Sequence, residues 1–290
     1  MEKICRMCAR NCAIDRSMSV GYCRSTDTAK IAKVMIHNWE EPVISGTKGS
    51  GAIFFSNCNL RCVFCQNYKI SHEGIGKEVT PAKLAEIMKN LEAKGVHNIN
   101  LVTPSHYTDQ IIEALNIYRP NIPVVWNTNT YESIETMHKI KDYVDIYLFD
   151  LKYKDSVLSK KYSDASNYFD IATKNILYAR SIVPQDIIED GIMKKGIIIR
   201  HLVLPNCTSD SVEICKWIKE NTPNTIVSIM SQYIPYYKAC DYPEINRKIS
   251  KLEYKRVVTM CDDLGLDGYM QDMSSADTCY TPNFEEEIDF

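Results

Sequence analysis

The chain reads as an α/β protein, a partial (β/α)6 TIM-type barrel carrying a cysteine-rich N-terminal extension. Two observations predict it. From about residue 50 onward, short apolar runs rich in Ile, Val and Leu alternate with segments of helical periodicity, and four cysteines precede that alternation within the first 23 residues. Runs without strict polar alternation suit strands buried on both faces, and parallel neighbours need crossover connections, so the order of strand then helix implies a parallel sheet. Six strand and helix pairs are too few to close an eight-stranded barrel. A curved partial barrel with its chemistry at the C-terminal ends of the strands is therefore expected, and an open doubly wound sheet is the alternative.

Residues 1–45 form the extension and 46–240 the core. The first two core strands are read at 52–56 and 98–102, with a helix between them. Thr80 supplies its N-cap, Pro81 suits its first turn, Leu84, Ile87, Met88 and Leu91 share one face, and Gly95 ends it. Strands at 124–127, 145–151, 196–204 and 225–230 follow, alternating with helices at 108–118, 133–141, 166–180 and 209–221. Arg119-Pro120 closes the first of these helices. The segment 241–290 holds one helix, 250–264, and an acidic end, Glu285-Glu286-Glu287, read as a solvated tail.

Composition narrows the class of function. Hydrophobic residues make up 45% and charged residues 24%, ordinary globular usage, and no run of about 18 apolar residues suggests a membrane span. The first residues, Met-Glu-Lys-Ile-Cys-Arg, lack the apolar segment of a signal peptide, so a cytoplasmic location is expected. A net charge of −3 gives no global reason to expect a nucleic acid partner. Twelve cysteines in a chain expected in a reducing compartment point to metal ligation rather than disulfides. Cys5, Cys8, Cys12 and Cys23 form one group, and Cys58, Cys62 and Cys65 another. Cys207, Cys215, Cys240, Cys261 and Cys279 are scattered and read as small buried or semi-buried side chains.

The second group lies in Ser56-Asn57-Cys58-Asn59-Leu60-Arg61-Cys62-Val63-Phe64-Cys65-Gln66-Asn67, directly after the first strand. Three thiolates spaced C-x3-C-x2-C on one tight loop can ligate three irons of a [4Fe–4S] cubane and leave one iron open. That open position can chelate the amino and carboxylate groups of S-adenosylmethionine (SAM), whose sulfonium bond then accepts an electron and breaks. A structural zinc would want a fourth protein ligand nearby, and none follows at this spacing. The four N-terminal thiols, spaced C-x2-C-x3-C-x10-C, suit either a structural zinc or a second, fully ligated cluster.

The run Phe54 to Asn67 resembles the radical SAM superfamily, in the branch similar to pyruvate formate-lyase activating enzyme. Within that branch the chain most resembles activating-enzyme-like proteins with a four-cysteine N-terminal extension. The likeness covers roughly residues 45–240. It implies that Phe64 packs on the SAM adenine and that Gln66 lies beside the cofactor. Asp150-Leu151-Lys152 is similar to the Asp-Leu-Lys signature of glycyl-radical activating enzymes, where these side chains contact SAM. Arg200, in Arg200-His201-Leu202-Val203-Leu204-Pro205, resembles a fifth-strand basic residue that faces SAM, and Asn129, in Asn127-Thr128-Asn129, a polar triplet that approaches it. The second strand departs from the pattern. Activating enzymes carry Gly-Gly-Glu there, whereas this chain has Thr103-Pro104-Ser105-His106, so Thr103 is the expected neutral substitute. Gln232 and Tyr233 stand where those enzymes place a sixth-strand His. His106 is read as a helix-start residue, with a substrate-side acid or base as the alternative.

The resemblance implies an enzyme that cleaves SAM reductively to a 5′-deoxyadenosyl radical and abstracts hydrogen, with a glycyl-radical enzyme as partner and a flavodoxin or ferredoxin as electron donor. A small molecule or peptide as substrate is the second reading. A non-catalytic metal-binding scaffold is the third, opposed by Phe64, Asp150 and Lys152, which such a scaffold would not need.

Overall fold

The computed structural model describes residues 4–275, Pro282 and Phe284; Cys279 and the acidic run 285–287 lie outside the described residues. The chain opens with β1 (Ala29–His37), α1 (Pro42–Ser45), β2 (Ser50–Phe55), α2 (Tyr68–Ser71), β3 (Lys77–Val79) and α3 (Pro81–Ala93). It continues through β4 (Ile99–Val102), α4 (Thr108–Ile117), β5 (Val124–Thr128), α5 (Ile134–Ile140), β6 (Ile146–Asp150), α6 (Ser156–Ser163) and α7 (Tyr168–Ile182). The last elements are β7 (Ile187–Glu189), β8 (Ile192–Leu202), α8 (Thr208–Asn221), β9 (Ile226–Met230), α9 (Lys251–Asp263) and β10 (Gly268–Met270). No helix among the described residues is long and apolar enough to cross a membrane.

One sheet holds the strands in the order β10-β9-β8-β6-β5-β4-β2-β1-β3, with β7 paired to β8. The six strands expected from the sequence, β2, β4, β5, β6, β8 and β9, are parallel neighbours in chain order. A sheet wound in one direction has no point where the strand order reverses, so the doubly wound alternative falls and the partial barrel stands. Four strands were not anticipated. β1 and β3 add antiparallel to the β2 edge, β7 forms a hairpin with β8, and β10 extends the far edge in parallel. The later half of the 1–45 segment is thus part of the sheet.

Local signals set the helices that do appear. The Thr80 hydroxyl accepts the Lys83 N–H at the start of α3, and Leu84, Ile87, Met88 and Leu91 are buried as their spacing requires. At α9, Ser250 and Glu253 cap one another's backbone N–H groups in a reciprocal box. All the long helices pack on one face of the sheet, against outward-pointing side chains such as Ile53, Phe55, Trp126, Phe149 and Ile199.

The pleat sends alternate residues to the other, concave face. Its lower layer is apolar: Val125, Ile146, Leu148 and Ile198 pack with Met193 and with Val43 and Ile44 of α1, which plugs the barrel. Two residues further along each strand the same face carries Asn127, Asp150 and Arg200, and Asp150 and Arg200 are register partners. The apolar floor therefore positions a polar layer directly above it.

Two buried histidines tie the frame together. His106 Nε2 bonds the Ser56 carbonyl at 2.7 Å, and His201 bonds the Leu151 carbonyl through Nδ1 at 2.7 Å and the Ser211 hydroxyl through Nε2 at 2.8 Å. Burial pushes His106 down to about 3 and His201 down to about 4, so both stay neutral in the folded chain.

Truncating Leu148 to Ala should cost about 2–5 kcal/mol in urea unfolding, since it opens a cavity in the floor; a loss under half that would show that the floor does not hold the polar layer. The histidines set a pH dependence. Unfolded, each takes a proton near its ordinary value of about 6.5. Folded, neither does until far lower pH, so the unfolded state binds more protons and stability falls as pH drops below about 6.5. Unfolding free energy should be lower at pH 5 than at pH 7, and His201→Asn should flatten that slope. Equal slopes in the two proteins would contradict this.

Candidate active site

A cavity of about 490 Å³ opens over the C-terminal ends of the strands. It is lined by Cys58, Cys62, Cys65, Phe64, Gln66, Thr103, Asn129, Asp150, Lys152 and Arg200, so one space gathers the core's expected ligand and cofactor residues. They come from the loop after β2 and from the ends of β4, β5, β6 and β8, more than 140 residues apart in the chain.

The cysteine loop is fastened on several sides. Its Arg61 and Val63 N–H groups donate to the Ser163 and Tyr162 carbonyls at the end of α6, and the Lys238 N–H donates to the Val63 carbonyl. Each thiol has a polar neighbour: Asn129 Nδ2 lies 3.3 Å from Cys58 Sγ, Ser163 Oγ 3.0 Å from Cys62 Sγ, and Ser71 Oγ 3.2 Å from Cys65 Sγ. Burial pushes Cys58 up to about 12 and Cys65 up to about 11, and the neighbouring Cys62 adds to both. Thiols so disposed ionise on binding metal, not in its absence. Among the described residues no three His, Cys, Asp or Glu side chains converge on a single ion. Three soft sulfurs lining one cavity suit a polynuclear iron–sulfur cluster, in which each thiolate takes its own iron.

Opposite the thiols stands a network of charges. Arg200 reaches Asp150 Oδ1 at 2.9 Å through Nε, Glu40 Oε2 at 3.0 Å through Nη1 and Asn127 Oδ1 at 2.6 Å through Nη2. Lys152 Nζ lies 2.7 Å from Asp150 Oδ2. Burial opposes ionisation of Asp150, but Arg200 and Lys152 outweigh it and hold the carboxyl below the usual range. Burial likewise opposes the Lys152 ammonium, and Asp150 and Cys62 overcome it. The pair is thus an interior one, able to offer both signs of charge to a zwitterionic amino acid moiety. Tyr168 braces it: its hydroxyl accepts the Lys152 N–H at 3.1 Å and lies 2.5 Å from the Asp150 carbonyl and 3.0 Å from that of Asn129.

Phe64 is buried and meets Tyr233 edge-on, ring centroids 5.6 Å apart, with Gln232 on the same wall. Thr103, directly after β4, has φ 59°, a left-handed conformation that glycine adopts freely and a β-branched residue rarely does. His106 does not line the cavity, which leaves it its structural role.

Sequence reasoning missed Glu40 and Glu41, which the β1–α1 connection brings into the barrel. Glu40 Oε1 also accepts from Asn127 and Asn100 at 3.1 and 3.2 Å. Glu41 is buried with Oε2 unpartnered, and burial raises its pKa. The second strand lacks a carboxylate, and Glu40 supplies one to the same interior from elsewhere. The signal available was the pair of acids just ahead of a Pro at a helix start.

The N-terminal cysteines neighbour one another: burial pushes the Cys8 thiol up to about 12, and Cys23, Cys5 and Cys12 add to the rise. Arg10, between them, anchors this segment to the cysteine loop, donating to the Asn59 carbonyl at 2.9 Å and the Asp164 carbonyl at 2.5 Å. Of the scattered cysteines, Cys207, Cys215 and Cys261 are buried as expected. Cys240 is exposed, contrary to the expectation, because it sits on a surface turn of the 239–241 segment.

Residues 52–218, more than half of the chain, match the radical SAM superfamily. An uncharacterised protein of Methanocaldococcus jannaschii is 34% identical over 278 residues, covering 91% of this chain and 76% of that protein. Among solved structures, SuiB of Streptococcus suis matches with a TM-score of 0.54 at 16% identity, over 81% of this chain and 51% of that one. SuiB with S-adenosylmethionine bound gives 0.51 at 15% identity, over 77% and 46%. Methylornithine synthase, PylB, gives 0.53 at 16% identity, over 73% and 62%. This chain therefore spans about half the length of SuiB, and these structures share its fold. A family match that runs from β2 through α8, over the strands whose ends build this cavity, establishes that the chain belongs to the radical SAM superfamily, in which chemistry depends on a [4Fe–4S] cluster and SAM.

Proposed function

We propose that this enzyme cleaves SAM reductively and abstracts a hydrogen atom from its substrate, with Cys58, Cys62 and Cys65 holding the cluster. The observation that carries this reading is the gathering of three thiols, Phe64 and the Asp150–Lys152–Arg200 network around one cavity. Bound by these three thiolates, the cluster would supply the one electron needed to split the C5′–S bond of SAM into methionine and a 5′-deoxyadenosyl radical. Phe64 offers a face for the adenine. Asp150 and Lys152 orient the methionyl ammonium and carboxylate, with Arg200 fixing Asp150 and Thr103, Asn129 and Gln66 providing neutral polar contacts. The cavity walls keep water from the target C–H bond.

The hydrogen abstracted belongs, in this proposal, to a glycine of a glycyl-radical enzyme, a reading supported by Asp150-Leu151-Lys152. Thr103 in place of a carboxylate favours the second reading, a small molecule or peptide as the target. In this reading the four N-terminal thiols take a second metal; that among the described residues no three of them converge on a single ion favours a further cluster over zinc, and iron counting separates the two, about four irons per chain with zinc and about eight with a second cluster.

The test is 5′-deoxyadenosine formation by the anaerobically reconstituted, reduced chain. Wild type should form it, Cys62→Ala should lose it by at least a hundredfold, and Cys261→Ala, buried behind α8, should retain it. Asp150→Asn should weaken SAM binding by about ten- to a hundredfold, since a charge-assisted contact contributes roughly 1.5–3 kcal/mol. Equal loss in both cysteine variants, or unchanged affinity in Asp150→Asn, would contradict the assignment.

A further inference from the structure

We propose that the face formed by Arg24, Arg61, Tyr237 and Lys238, on the outer side of the cysteine loop, docks an acidic one-electron carrier protein. The inference rests on the SAM-cleaving reading above and adds to it where the electron enters.

Three cations meet there without acidic partners. Arg24 donates only to the backbone carbonyls of Ser71 and His72, and Arg61 to the Tyr22 carbonyl at 2.5 Å. The Lys238 ammonium lies 5.5 Å from the centre of the Tyr237 ring. Among the described residues none of the three forms an ion pair. Backbone carbonyls satisfy the donors but leave the charge uncancelled, so this face is positive on a chain whose net charge is −3. Arg24 donates to the His72 carbonyl, Cys62 beside Arg61 bonds the His72 ring through its carbonyl, and Tyr237 beside Lys238 stacks on that ring, which places the three cations around one point.

That point adjoins the proposed cluster ligands. His72 Nε2 bonds the Cys62 carbonyl at 3.0 Å, the neighbouring Ser71 hydroxyl meets Cys65 Sγ at 3.2 Å, and Lys238 N–H bonds the Val63 carbonyl at 2.8 Å. On the outside an aromatic stack covers it: His72 lies on Tyr237 with centroids 4.6 Å apart, and Tyr237 on Tyr68 at 5.3 Å. Tyr237 is 37% exposed and holds φ 53°, a conformation rare for a bulky side chain.

Each SAM cleaved consumes one electron, and electron tunnelling falls steeply with distance. The cavity side of the loop is where SAM and substrate meet the thiols. Arg24, Arg61, Tyr237 and Lys238 do not line that cavity, and so they offer a short route in from the opposite side. A carrier that arrives reduced and leaves oxidised by one electron must bind briefly, and complementary charge gives fast, salt-sensitive encounter of that kind. An acidic rim on the carrier is the matching chemistry.

The experiment measures 5′-deoxyadenosine formation by the full, reconstituted protein with two reductants, dithionite and reduced flavodoxin, at rising salt. Wild type should show a salt-sensitive KM for flavodoxin. Lys238→Glu should raise that KM about tenfold and remove most of the salt dependence. Arg24→Gln should act in the same direction, and both variants should match wild type with dithionite. A flavodoxin KM unchanged in both variants would overturn the proposal, as would equal slowing with both reductants. If wild type forms no product even with dithionite, the SAM-cleaving reading itself fails and this proposal fails with it.

Discussion

The guanidinium of Arg200 is the contact on which the interior depends. It binds Asp150 on the adjacent strand, Asn127 one strand further and Glu40 from the extension, so a single cation ties the ends of three parallel strands to a distant loop. Buried ion pairs carry a large desolvation penalty and are tolerated where further hydrogen bonds complete them. Completion is visible here in Lys152 on the free oxygen of Asp150 and in Asn100 and Asn127 on the free oxygen of Glu40. Removing one member would leave its partners charged and buried, which makes the network rigid as well as costly.

That rigidity has a consequence for chemistry. A radical generated in the cavity acts on whatever C–H bond lies nearest, so the cofactor must be held by groups that do not wander. Asp150 and Lys152 are fixed by Arg200 on one side and by Tyr168 on the other. The sulfurs are fixed by a loop whose backbone is bonded to α6 and to the 231–240 segment. The extension joins both halves, through Glu40 to the charged network and through Arg10 to the cysteine loop.

Much of this was legible in the sequence, for physical reasons. The six core strands are continuous apolar runs because both faces are buried, and α3 and α9 carry caps that mark their starts. The three-cysteine loop and Asp150-Leu151-Lys152 are local patterns, readable wherever they stand. Glu40 was harder to read: its role depends on contact with Arg200, 160 residues away, and the acid pair ahead of Pro42 marks a helix start without naming that partner. β3 and β10 escaped because three residues carry no periodicity, and β1 because its burial alternates irregularly.

The central claim is that Cys58, Cys62 and Cys65 hold a cluster to which SAM binds directly. The most direct measurement is EPR of the anaerobically reconstituted and reduced chain, with and without SAM, in wild type and in Cys62→Ala. The account predicts a [4Fe–4S]+ signal whose g-values shift when SAM is added to wild type, and no SAM-sensitive signal in the variant. A reduced cluster signal that SAM leaves unchanged, or one that responds equally in the variant, would contradict it.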